Sequence, residues 1–258
     1  MRCASRCRSS RFERLLANGV ANREMTAPSA AATRGTPVRA SAVTRFWNSS
    51  IGKKAVMAVT GLIMIGFLIS HMLANLQIFA GPLKINEYAA TLREFGPLLW
   101  LARGGLAVAL VLHVIAAYQL TRRKQVARPV GYERQDPQVS TFAARTIRWG
   151  GVFLLVFIVL HLLHFTFGTI HPAFDAKDVY GNVIAGFQTW WVAVLYILAM
   201  IGLGLHLYHG TWSSIRTLGL TRPSGDPLKR RIAAVLTWAL YIGFSLVPIA
   251  VLARLVGR

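Results

Sequence analysis

No cysteine occurs after residue 7 of the 258-residue chain, and the only two, Cys3 and Cys7, stand in a polar N-terminal stretch. That excludes a disulfide framework or a cysteine-rich metal site. It also excludes iron–sulfur ligation by the apolar segments, so a redox cofactor held there needs histidine or methionine. Acidic residues are scarce too, with 9 Asp and Glu against 29 Lys and Arg, a formal net charge of +20. Charge of either sign is rare: 15% of residues are charged, 54% are hydrophobic, and the mean hydropathy is +0.47. An ordinary soluble domain is not this apolar. A nucleic-acid binder would carry its basic excess on water-exposed elements, whereas here the cations fall between long apolar runs, as membrane topology requires.

Residues 1–44 mix Arg, Ala, Ser, Thr and Pro and show helical periodicity only around Phe12–Leu16. They are expected to form a flexible cytoplasmic N-terminal tail. No apolar h-region precedes Lys53, so a signal peptide is not expected. Met25 is an alternative translation start, and an Arg-rich mitochondrial transit peptide is the competing reading of the first 24 residues. Residues 45–258 form the expected membrane domain, with apolar runs at about 55–79, 98–120, 149–168, 187–210 and 232–253. Each is near the roughly 20 residues that a bilayer core requires. Gly61, Gly66, Gly202 and Gly204 permit close approach of a neighbouring helix or a flat cofactor. Gly81-Pro82 and Gly96-Pro97 read as stop and start signals around a loop, and Pro248 should bend the last run. No soluble domain is expected, so partner domains must be separate chains.

Basic residues set the expected orientation. Eleven Lys or Arg occur through residue 54, seven in 121–148 and five in 213–231. The connection 80–104 has Lys84, Arg93 and Arg103 beside Glu87 and Glu94, and 169–186 has Lys177 beside Asp175 and Asp178. The positive-inside rule puts the N-terminus in the cytoplasm and the C-terminus outside.

Seven histidines are present: His71, His113, His161, His164, His171, His206 and His209. A ring inside an apolar run needs a partner or a ligand to offset its desolvation. At a rise of about 1.5 Å per residue, His71 lies roughly 27 Å beyond Lys53, and His161 roughly 24 Å beyond Arg145. Both belong to the outer half. His113 stands 9 residues before Arg122, and His206 stands 10 before Arg216, which places both nearer the cytoplasm. Depth therefore pairs His71 with His161 and His113 with His206. Two neutral imidazoles at one depth, on opposite sides of an iron, are what bis-histidine haem ligation needs. Scattered structural or proton-handling histidines are the bland alternative.

His164 and His209 each follow a candidate ligand by three residues and so are expected to share its face. They are alternative ligands, or outer groups that hydrogen-bond a propionate or a quinone. His171 precedes Pro172 and reads as a satisfied loop residue. Arg122, Arg123, Arg145, Arg148 and Arg216 form a cytoplasmic rim able to neutralise propionates and dock an acidic surface, although positive-inside anchoring suffices for most of them. Ser70 and Thr166 are candidates for bonding a ring or a carbonyl. Trp47, Trp100, Trp190, Trp191 and Trp212 fall near the ends of runs and read as interfacial anchors.

Taken in order, R-F-W-N-S-S-I-G-K-K at 45–54, F-L-I-S-H at 67–71, L-H-V-I-A-A-Y at 112–118, F-I-V-L-H at 157–161 and L-H-L-Y-H-G-T-W-S at 205–213 resemble one family. It is the cytochrome b558 membrane anchor of succinate dehydrogenase/fumarate reductase, in its di-haem single-anchor form. The likeness spans residues 43–255. It implies an all-α integral membrane fold of five transmembrane helices, the first four making a di-haem four-helix bundle. It implies two haems b, the distal one held by His71 and His161 and the proximal one by His113 and His206. The implied partners are a flavoprotein with covalent FAD and an iron–sulfur protein, both on the cytoplasmic face of a bacterial inner membrane. Electrons from succinate would pass through three iron–sulfur clusters to this anchor and reduce a quinone, menaquinone more than ubiquinone, within the respiratory chain and tricarboxylic acid cycle. No dicarboxylate active site is expected in this chain, nor any nucleic-acid partner. In some relatives a glutamate near the distal haem handles quinone protons, and Glu87 and Glu94 are the outer-side glutamates here. The long N-terminal tail departs from the family's shorter starts. Other readings are a cytochrome b subunit of a hydrogenase or of a formate or nitrate oxidoreductase, a proton-coupled transporter, and an anchor that has lost its haem.

Overall fold

The computed structural model describes residues 41–127, 142–220 and 226–257. Cys3, Cys7, Met25, the stretch 1–40 and the basic residues of 128–141 and 221–225 lie outside the described residues. Among the described residues there are eight α-helices and no strand. They are α1 (Ala42–Asn48), α2 (Ser50–Leu76), α3 (Pro82–Glu94), α4 (Pro97–Val126), α5 (Phe142–His161), α6 (Val179–Gln188), α7 (Trp190–Thr217) and α8 (Asp226–Leu252). A 3₁₀ turn, Gln77–Ala80, extends α2, and a π-helical turn, Leu162–Thr166, extends α5.

Five helices, α2, α4, α5, α7 and α8, are long and apolar enough to cross a membrane. Large apolar side chains such as Trp149 (80% exposed), Leu101 (72%) and Val108 (59%) face outward along them. A soluble monomer does not expose apolar surface continuously over such lengths, and the chain is a multi-span helical membrane protein. The end that carries α1 and the start of α2 is called near below, and the opposite end far.

The turn chemistry matches the boundaries. Ser49 caps α2 by accepting from the Gly52 N–H at 2.8 Å, the ordinary role of a serine at a helix start. Gly81 and Gly96 adopt φ of +96° and +49°, and each precedes a proline in the first turn of a helix. That is the position where proline's missing N–H costs nothing.

Two expectations need correction. The connections 80–104 and 169–186 are not plain loops, because α3 lies within the first and α6 begins in the second. The tail boundary at 44 cuts through α1, which starts at Ala42 after an N-cap at Ser41. Beside Gly66 the space is open, for a Cβ there would have nothing within 4 Å. Gly202 and Gly204 do mark close approaches, for a Cβ would meet the Phe153 ring at 3.0 Å and the Thr237 methyl at 3.4 Å respectively.

Helix α4 packs on α2, α2 on α7, and α5 on α7, while α4 and α5 share no comparable interface. These contacts join the four helices in the order α4, α2, α7, α5. The fifth span, α8, is no bystander. It packs more extensively on α7 than any other two helices pack together, and it also packs on α2. Helices α4 and α5 are the least covered spans.

The closest-packed core lies at the far end, where Ile78, Ile85, Val183, Ile184, Phe187, Tyr196, Val247 and Val251 are buried together. Hydrogen bonds tie α3 to the segment leading into α6. The Asn86 amide donates to Asp178 at 2.9 Å and accepts from the Tyr180 N–H at 3.1 Å, and Arg93 donates to the Ala176 carbonyl at 2.6 Å. Asp178 also caps α6 by accepting from the Gly181 N–H. The Gly181 amide and the Asn86 side chain hold the Asp178 carboxyl below its ordinary range.

Candidate cofactor site

Two pairs of histidines meet between the spans. Between α2 and α5 the rings of His71 and His161 have centroids 5.9 Å apart and planes at 82°. Between α4 and α7 the rings of His113 and His206 are 6.3 Å apart at 56°. The first pair lies toward the far end and the second toward the near end, so the depth count along the runs and the ring contacts join the same residues.

These separations say what can lie between the rings. Two imidazoles joined by a direct N–H···N bond of about 2.9 Å, plus roughly 1.1 Å from each nitrogen to its ring centre, give about 5.1 Å. Two imidazoles on opposite sides of one metal, each bond about 2.0 Å, give about 6.2 Å by the same addition. The observed 5.9 and 6.3 Å leave room for a metal between the rings, and they are also the separation of rings in plain packing contact, such as Phe157 and His161 at 6.0 Å. Neither pair is joined by a hydrogen bond. Among the described residues no three His, Cys, Asp or Glu side chains converge on one point. Each level offers two imidazole donors, the number that a haem held by two histidines would need.

The surroundings of the near pair fit such a group. Nδ1 of His113 lies 3.0 Å from the Met57 carbonyl and 3.2 Å from the Thr60 hydroxyl. The Thr60 hydroxyl has a carbonyl of its own turn to donate to, Val56 at 2.7 Å. His113 Nδ1–H is thus the donor to both, and Nε2 keeps its lone pair for a ligand, the arrangement ordinarily found behind a metal-bound histidine. Two glycines lie against the pair. A Cβ on Gly61 would be 3.5 Å from His113 Cε1, and one on Gly151 would be 3.7 Å from His206 Cε1. Nδ1 of His206 is buried without a partner.

At the far level Nδ1 of His161 lies 3.4 Å from the Tyr196 hydroxyl, which is also 3.0 Å from Nδ1 of His164. Phe67 stacks on His71 at 5.2 Å, and Phe244 of α8 approaches the same ring at 5.8 Å. The fifth span therefore reaches the site as well.

His164 shares Phe165 and Tyr196 with His161 as ring neighbours. The π-helical turn, closed by a Phe167 N–H to Leu162 carbonyl bond of 2.8 Å, inserts a wider turn after His161. The His164 ring is 5% exposed and packs on Phe165 and His171, with no contact to His71. His209 lies against Trp212 at 5.9 Å, away from His113, and its Nδ1 is buried without a partner. His171 is fully used, donating from Nε2 to the Asn182 carbonyl at 2.8 Å and accepting from the Ala173 N–H at 3.1 Å.

Glu87 pairs with Lys84 at 3.8 Å, Glu94 is exposed, and neither bonds a histidine. Ser70 donates to the Phe67 carbonyl in its own turn. Cations gather at the near end. Lys54 and Arg216 line a cavity of about 440 Å³ with Trp212 and Ser213, and Lys53, Arg122 and Arg123 line one of about 350 Å³ with Trp47 and Gln119. Arg145 and Arg148 are exposed.

Sequence reading missed Tyr196, Thr60 and the Met57 carbonyl. Tyr196 was findable, because ten residues before His206 is about 15 Å along a helix, which puts the hydroxyl at the far level. The backbone carbonyl carried no sequence signal. Comparison with protein-family models, with curated proteins and with solved structures finds no match.

Proposed function

We propose that this chain is the haem b-containing membrane anchor of a succinate:quinone oxidoreductase. In that role it passes electrons between an iron–sulfur subunit and membrane quinone. The observation that carries the proposal is the meeting of two histidine pairs at two levels, His71 with His161 and His113 with His206, their ring centroids 5.9 and 6.3 Å apart. The ordered sequence fragments around those histidines, which resemble the di-haem anchor family, support the specific enzyme over other cytochromes b. Haem, when bound, supplies one-electron chemistry that no side chain here possesses.

The chain's own part is positional. His71 and His161 would hold the outer haem, and His113 and His206 the inner one. The Met57 carbonyl holds the His113 ring in the tautomer that leaves Nε2 free. The cationic near end faces the cytoplasm, where Lys53, Lys54, Arg122, Arg123 and Arg216 neutralise propionates and receive the iron–sulfur subunit. The flavoprotein with its FAD sits beyond that subunit, and dicarboxylate chemistry belongs there. Quinone, menaquinone in preference to ubiquinone, reacts within a bacterial cytoplasmic membrane.

The test is haem quantification on the purified membrane complex as its pyridine haemochrome, with the subunits identified by mass. Two haems b per chain, copurifying with a flavoprotein and an iron–sulfur protein, is the expected result. His113→Ala or His206→Ala should remove one haem, and His71→Ala or His161→Ala the other. A folded preparation without haem, or both haems retained in all four variants, overturns the proposal.

A further inference from the structure

The two histidine pairs differ in what stands behind them. Behind His113 is a backbone carbonyl, fixed in place by α2. Behind His161 is a side chain, Tyr196, only 9% exposed and walled by the rings of Phe157, Phe165 and Phe187 at 5.0 to 5.7 Å. Its hydroxyl lies between two imidazoles, 3.4 Å from His161 Nδ1 and 3.0 Å from His164 Nδ1. One hydroxyl can accept from one ring and donate to the other. If His161 offers Nε2 to a metal, its Nδ1–H must point to the tyrosine oxygen, and the tyrosine O–H is then directed at Nδ1 of His164. His164 itself stands in the π-helical turn that follows His161.

We infer that Tyr196 and His164 are positioning residues for His161, forming a hydrogen-bonded pair that sets the redox potential of the outer site separately from the inner one. The inference rests on the proposed haem ligation. A hydroxyl whose own proton is given away is a better acceptor, because successive hydrogen bonds polarise one another. A better acceptor behind a ligating imidazole raises its basicity and favours the more highly charged metal state. The inner site has only a neutral carbonyl and a threonine hydroxyl in that place, and nothing on α7 bonds His206 Nδ1. Substitution at Tyr196 should therefore reach one site and spare the other.

The experiment is an optical redox titration of the purified complex, with the outer haem identified from its absence in His71→Ala. Tyr196→Phe removes the oxygen while keeping the ring in its aromatic enclosure. It should raise the midpoint potential of the outer haem and leave the inner one unchanged, with two haems still bound. His164→Leu should raise the same potential by a smaller amount. His164→Asn puts an amide near the former Nδ1 and should restore it towards wild type. Two haems in Tyr196→Phe with unchanged potentials, or with both shifted alike, overturn the inference while leaving the haem-anchor reading intact. A wild-type complex without haem overturns both. If Tyr196→Phe loses the outer haem altogether, the His164 pair decides: equal potentials for Leu and Asn overturn the inference, and restoration by Asn alone supports it.

Discussion

Gly61 offers a graded test of the inner site. Its missing side chain faces His113, where an added Cβ would lie 3.5 Å from Cε1 and 3.7 Å from Nδ1. Those are ordinary contact distances, so Gly61→Ala fits without moving the ring, and two haems per chain should be retained. Gly61→Leu adds three further carbons to a space already at contact. Overpacking of this kind costs about 1–3 kcal/mol, a factor of roughly 5–150 in an equilibrium constant. If the ring yields, it also leaves the Met57 carbonyl at 3.0 Å and the Thr60 hydroxyl at 3.2 Å. The inner haem should then be lost or bound weakly while the outer one stays. The assay is haem per chain with a reduced-minus-oxidised spectrum, compared with that of His113→Ala. Gly151→Leu, on the other side of the pair at 3.7 Å from His206 Cε1, should lose the same haem. Full retention of both haems in Gly61→Leu, or loss of the outer one, would refute the reasoning.

Asp178→Ala removes the α6 cap and the bond to Asn86, and together these contribute about 2 kcal/mol. Thermal unfolding in detergent should shift down while haem content stays unchanged. Because the folded carboxyl titrates below its ordinary value of 3.8, this stabilisation is fully present above that value. It is lost as pH falls through the lower folded value, so the difference between wild type and Asp178→Ala should shrink only in strong acid. Orientation is checked with impermeant thiol labelling of intact cells. Glu87→Cys, exposed at the far end, should label from outside, and Arg145→Cys only after the membrane is opened. The reverse pattern would overturn the inside-positive orientation.

Much of the fold was readable because bilayer physics writes it in long apolar runs, and all five fall on helices that can span. What the runs could not show was amphipathic structure between them. Helix α3 mixes Lys84, Glu87 and Arg93 with buried Ile85, so its hydropathy resembles that of a loop. The depth of each histidine was legible because rise per residue is nearly constant. Its azimuth was not, since the π-helical turn after His161 changes the angular step and no residue type announces it. That is why His161 and His164 stayed equivalent on paper, whereas the His161 ring meets His71 and the His164 ring meets His171. The role of α8 was hidden for a different reason. Its apolar residues look alike towards lipid and towards protein, and only packing reveals that Phe244 reaches His71.

The near level shows how one sequence feature can carry two structural meanings. Gly61 reads as a helix-contact glycine, and it is one. It also follows Met57 by four residues, so in α2 its own N–H bonds the Met57 carbonyl. A Cβ at 61 would stand 3.7 Å from His113 Nδ1. That nitrogen lies 3.0 Å from the Met57 oxygen, which the Thr60 hydroxyl also reaches at 3.2 Å. The glycine thus makes room for the ring beside the acceptor that orients it. At the far level a tyrosine hydroxyl from α7 stands behind His161 instead. Backbone and side chain thus solve the same problem at two depths, and the side-chain solution is the one that a single substitution can remove.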